Sequence, residues 1–166
     1  LTSNKIYGAD AKTQGFSGYV CEILVIGHGG FIQVLKAASN WIPGQVVDLK
    51  HYYKEDDYAS LKKKLRKESL ILIDPTDRNR NTSSALSPEN FLKFKKLAKE
   101  FLKKPDMRYF SEKKLQPVKS NELNKLFSQR KTEFILVKFK PPKTVPDILY
   151  PQMRKFAERL QNILEE

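Results

Sequence analysis

The sequence predicts an α+β fold, a mainly helical first part followed by a shorter β-α-β-α unit, and three observations carry that reading. Phe91, Phe94, Leu97, Phe101 and Leu102 form one stripe at helical spacing behind the cap residues Ser87 and Pro88. Gly and Pro divide the first hundred residues into short apolar runs. From Pro105 onward the rhythm changes to short apolar segments alternating with polar, helix-like ones. The chain therefore divides into residues 1–104 and 105–166.

Ser17 is placed to cap a first helix, with Phe16 ahead of it as a staple residue and the apolar run Val20 to Ile26 behind it. The β-branched residues of that run also suit a buried strand, and helix is the expectation. Gly27, Gly29 and Gly30 stop it. Phe31, Ile32, Val34, Leu35, Ala38 and Trp41 then mark a second helix, ended by Pro43 and Gly44. Val46 to Leu49 and Leu70 to Ile73 read as strands, and the polar stretch Lys54 to Lys67 between them as a helix or loop. Beyond Pro105 the order is strand (Met107 to Phe110), helix (Asn121 to Gln129), strand (Phe134 to Phe139) and helix (Tyr150 to Glu165). Two strands alone leave open sheet edges, so this half reads as the front of a larger unit and invites pairing with another chain.

The 166 residues carry 31 Lys and Arg against 19 Asp and Glu, a net charge of +12. The excess is +1 over residues 1–50, +6 over 51–104 and +5 over 105–166. Such a surplus favours a polyanionic partner, with nucleic acid ahead of membrane. The longest apolar run, Tyr19 to Gly27, is far below the roughly 20 residues of a membrane span. A soluble, cytoplasmic protein without membrane contact is expected. The one cysteine, Cys21, sits among apolar neighbours and reads as a small core residue. His28 and His51 lack partners at metal-ligand spacing, so no structural metal is expected.

Glu55 and Asp57 lie in a polar run and read as solvated surface. Asp74 and Asp77 stand beside Arg78 and Arg80, which points to an ion-paired, self-capping loop. The sequence holds no Walker loop, no Gly-x-Ser-x-Gly and no dinucleotide-binding glycine pattern. No catalytic residue is assigned, and the chain does not read as a complete enzyme. The loop Asp74-Pro75-Thr76-Asp77-Arg78-Asn79-Arg80-Asn81 has a second use open to it beside a structural turn. An arginine held there by aspartates presents a planar fork to a base edge or phosphate.

The segments IYGAD, GFSGYVCEILVI, GGF with Trp41, DPTDRNRN followed by ALS, and ILYPQM resemble the archaeal (class I) tRNA CCA-adding enzymes, in order over nearly the whole chain. The spacing varies only around His51 to Lys67. The resemblance covers the helical central domain of those enzymes and the start of their body domain, implying a partial ferredoxin/RRM-like β-α-β-α unit in the second part. It implies a non-catalytic portion or split subunit of a nucleotidyltransferase that adds CCA to tRNA 3′ ends without a template. ATP and CTP would be its substrates, and tRNA and a catalytic head domain its partners, in a homodimer or hetero-oligomer. Mg2+ would be bound by the head, whose Gly-Ser turn and carboxylates have no counterpart here, so the chain is not expected to be active alone.

Residue by residue, Tyr7 matches a tyrosine that contacts the incoming nucleotide, and Arg80 an arginine implied to lie beside the base and the tRNA end. Arg78 and Lys12 are implied RNA phosphate contacts. Gln14 stands where an arginine is expected, which puts one RNA contact in doubt. The alternative from another class is a stand-alone RNA-binding module that kept the scaffold and lost the reaction.

Overall fold

The computed structural model describes residues 1–112, 117–131, 135–140 and 142–165. Helix α1 (Gly18–His28) starts where Ser17 Oγ accepts the Val20 N–H at 3.2 Å, a cap of the kind that contributes about 1 kcal/mol. It ends at Gly29, whose left-handed backbone (φ 78°) lets the Gly29 and Gly30 N–H groups close on the Ile26 and Val25 carbonyls. The chain turns by 96° into α2 (Phe31–Asn40). Gly27 stays inside α1, and Leu49 occupies the space its side chain would take. α2 buries Val34, Leu35 and Ala38, followed by Trp41, while Phe31 and Ile32 stay exposed. α4 (Pro88–Lys103), capped by Ser87 Oγ on the Asn90 N–H, lays Phe91, Phe94 and Ala98 against them. The Trp41 ring stacks on Phe91 at 6.1 Å, and Phe94 packs on Phe16 at 4.7 Å.

Strands β1 (Gln45–Val47) and β2 (Leu70–Leu72) pair in parallel, Val46 opposite Ile71, and helix α3 (Asp57–Lys64) lies in the crossover. Alternation along the strands divides the core. Val47, Leu70 and Leu72 face the helices, whereas Val46, Ile71 and Ile73 pack beneath Tyr53, Tyr58 and Leu65. The other edge of β2 is covered by side chains of the following loop. Asn81 Oδ1 and Ser83 Oγ accept from the Leu72 N–H, and Thr82 Oγ1 donates to the Leu72 carbonyl. Cys21 is half-buried on the wall of an apolar cavity of about 160 Å³ shared with Phe16, Leu24, Phe94 and Phe101.

The α+β class holds, but the second part differs from the expected β-α-β-α order. Met107–Phe110 is a 3-10 turn rather than a strand. Asp106 Oδ1 caps the Arg108 N–H, and no strand pairs with the segment among the described residues. Its aromatic side chains pack instead, Tyr109 and Phe110 edge-on to Phe101, while Ser3 and Asn4 donate to the Tyr109 carbonyl. Of the second expected strand, Phe134 lies outside the described residues, and 135–140 forms no strand and has no ladder partner among the described residues. Alternation alone does not make a strand without a neighbour to bond. Phe139 packs against Phe156 of α6 (Pro146–Glu165) at 6.2 Å. The remaining helix, α5 (Ser120–Arg130), lies where expected. Among the described residues no single helix is long and apolar enough to cross a membrane.

A short bridge joins Tyr7 to Phe16, and a Cβ on Gly15 would collide with the Ile6 carbonyl. Gly15→Ala is therefore expected to destabilise the chain by about 1–3 kcal/mol, read from urea unfolding midpoints.

Candidate nucleotide and RNA interface

The loop after β2 is organised by one carboxylate. Asp74 is fully buried, and its Oδ1 accepts the Thr76 N–H at 2.8 Å, the Thr76 hydroxyl at 2.7 Å and the Tyr19 hydroxyl at 2.9 Å. Its Oδ2 pairs with the Arg80 guanidinium at 3.3 Å. The backbone closes around the same residues, with the Asp74 N–H donating to the Arg80 carbonyl and the Arg80 N–H to that of Asp77. Asp77 Oδ1 caps the Asn79 N–H, and Ile73 bridges to Asn81. The loop is thus the ion-paired, self-capping turn expected from its composition.

Hydrogen bonds favour the ionised form of Asp74. The Thr76 N–H, the Thr76 and Tyr19 hydroxyls and the Arg80 charge together hold the carboxyl below its usual range, against the opposing effect of burial. Tyr19 is shifted the other way, because the phenol donates to that carboxylate and so keeps its proton.

Aromatic rings carry both arginines. The Arg80 side chain is 62% exposed, with its guanidinium 6.0 Å from the Tyr19 ring centroid. Arg78 lies 4.9 Å from the Tyr53 ring centroid, and the Tyr53 hydroxyl donates to the Arg78 carbonyl. Tyr52 braces the same loop by donating to the Pro75 carbonyl at 2.7 Å.

Tyr7 reaches this region from the far end of the chain. It is 49% exposed, and a Cβ on Gly18 would stand 3.1 Å from its hydroxyl. Tyr7 therefore lies against Gly18 and Arg80 against Tyr19, the first two residues of α1, although 73 positions separate Tyr7 from Arg80 in sequence. The first turn of a helix offers unpaired N–H groups and the positive end of its dipole, which suits an anion.

Lys12 faces elsewhere. Its ammonium lies 5.6 Å from the Tyr150 ring centroid, and its carbonyl accepts from Arg154 of α6 at 2.9 Å. Gln14, in left-handed backbone (φ 49°), is tied to α4 through its carbonyl, which accepts from the Ser87 N–H and Asn90 Nδ2. Tyr19, Tyr52, Tyr53 and Thr76 are the supports that sequence reasoning missed. The paired Tyr52-Tyr53 was the available signal, since two adjacent tyrosines in a polar segment call for a polar partner.

The model of the tRNA nucleotidyltransferase second domain matches residues 1–111. The chain belongs to this family. A second model, the CCA-adding enzyme C-terminal domain, matches residues 130–166. The chain is 35% identical to the CCA-adding enzyme of Methanosarcina mazei over its whole length and 38% identical to that of Methanocaldococcus jannaschii over 99% of it. It is also 34% identical to the CCA-adding enzyme of Archaeoglobus fulgidus over 99% of its length. It spans about a third of the length of these relatives, 35%, 36% and 36% respectively. In this member of the tRNA nucleotidyltransferase second-domain family, no group of three or more His, Cys, Asp or Glu among the described residues is placed to hold a metal ion. The carboxylates of the arginine loop are already engaged, Asp74 by Thr76, Tyr19 and Arg80 and Asp77 by the Asn79 N–H, which does not suit a catalytic divalent cation there.

Because the folded Asp74 binds its proton more weakly than the unfolded chain does, its contribution is present above the ordinary carboxylate pKa of about 3.9 and is lost as pH falls through its folded value. Asp10, through the Thr13 hydroxyl, and Asp106, through the Arg108 guanidinium, are lowered as well. The part due to Asp74 is isolated by comparison with Asp74→Asn. Urea midpoints at pH 6 and pH 3 are expected to differ more for the natural chain than for this variant.

Proposed function

We propose that the chain is the non-catalytic portion, or a split subunit, of a CCA-adding nucleotidyltransferase, helping to bind the tRNA acceptor end and the incoming CTP or ATP. The observation that carries this reading is the Arg80 guanidinium, held by the buried Asp74 and set against Tyr19 at the start of α1, where the Tyr7 hydroxyl lies near Gly18. Arg80 offers a planar fork to a base edge or to the RNA backbone, and Tyr7 a hydroxyl and ring face to the nucleotide. Arg78 extends the same loop toward phosphate, and Lys12 offers a separate contact near α6.

Chemistry belongs to a catalytic head on a partner chain or on another segment, and Mg2+ to that head. What these residues contribute is positioning and electrostatic complementarity. Cytoplasmic location belongs to the same proposal. So does a division into a helical domain, 1–104, and the start of a body domain, 105–166. The packing of Met107–Phe110 on Thr2–Asn4 favours moving that boundary past residue 110.

In an enzyme reassembled with its catalytic head, Arg80→Ala is expected to lower kcat/KM for CTP and ATP about 10- to 100-fold, the size of one lost charge-assisted contact. Arg80→Lys should recover only part of it, because a point charge replaces a fork. Unchanged rate and unchanged base choice in single-nucleotide incorporation assays would remove Arg80 from the site.

A further inference from the structure

Helix α4 buries Phe91, Phe94 and Ala98 on one side and carries lysines on the other: Lys93, Lys96, Lys99 and Lys103 exposed, Lys95 partly so. Lys95, Lys99 and Lys103 follow one another at four-residue steps, which sets them along one line of the helix, about 6 Å apart along its axis. Like charges at that spacing repel each other. Glu100 pairs with Lys96 at 3.9 Å, and among the described residues no acidic side chain is within ion-pair distance of Lys95, Lys99 or Lys103.

The helix that carries this row is anchored beside Lys12, the separate contact near α6. The first turn of α4 is bonded to the loop that carries Lys12, through the Ser87 N–H to the Gln14 carbonyl and Asn90 Nδ2 to the Thr13 carbonyl at 2.7 Å. The row spans about 12 Å, the length of a few successive phosphates on one strand of a duplex. Lysines supply charge without base readout, so the contact is independent of sequence.

We propose that Lys95, Lys99 and Lys103 form a rail for the phosphate backbone of a base-paired RNA stem, steadying it while its 3′ end reaches the Arg80 loop. The inference rests on the tRNA-binding reading above and adds residues to it.

The test titrates the 166-residue chain with a tRNA transcript lacking its terminal CCA over a series of salt concentrations. The variants are Lys95→Gln/Lys99→Gln/Lys103→Gln, the same three positions changed to Arg, and Arg80→Ala. Gln preserves helix propensity, and circular dichroism verifies helical content. With about 0.7–0.9 counterions released per phosphate, the triple Gln variant should flatten the slope of log K against log salt by about 2 to 3. The triple Arg variant should keep the natural slope, and Arg80→Ala should change it by no more than about one. A natural slope in the triple Gln variant overturns the rail and leaves tRNA binding standing. Absence of salt-dependent binding by the natural chain overturns both.

Discussion

The buried carboxylate of Asp74 is the constraint on which the rest of the interface depends. A carboxylate taken out of water is costly unless its lone pairs are used, and here both oxygens are. Each bond does something besides satisfying the charge. Thr76 shapes the turn, Arg80 closes it, and Tyr19 ties it to α1, which is itself seated on the aromatic core through Phe16 and Val20. The arginine loop is thereby tied to the buried aromatic core. The exposed guanidinium inherits its position from a group that solvent does not reach.

The division of labour follows from the sheet. In this two-stranded sheet, β2 has one edge covered by β1 and one by the polar side chains Asn81, Thr82 and Ser83. Those residues follow directly on the arginine loop, so satisfying the edge also fixes where the loop returns. On the opposite face, Ile71 and Ile73 place Tyr53 where its ring supports Arg78. Packing and site are therefore built from the same short stretch, residues 70–83.

Local signals were legible wherever the local chain decides the outcome. Ser17, Ser87 and Pro88 announced their helices, Gly29 and Gly30 the turn between α1 and α2, and the stripe from Phe91 to Leu102 the buried face of α4. The Asp74 to Asn81 loop was legible too, because its acids and arginines are near neighbours in sequence. What escaped were features decided at a distance. Tyr19 read as one more apolar residue of α1, yet its hydroxyl finds Asp74 55 positions away. Met107 to Phe110 has strand-like composition, but its aromatic rings find Phe31 and Phe101 rather than a ladder. Tyr7 and Arg80 came from a resemblance, and only the fold sets one against Gly18 and the other against Tyr19.

The most direct measurement of the central claim is the mobility of the Arg80 side chain, taken from 15N relaxation of its Nε–H beside that of the exposed Arg66 in the same sample. If Asp74 and the Tyr19 ring hold the guanidinium, Arg80 shows a clearly higher order parameter than Arg66 and approaches the roughly 0.85 of a rigid backbone. If Arg80 relaxes as freely as Arg66, the buried carboxylate does not position it, and the account of the interface is wrong.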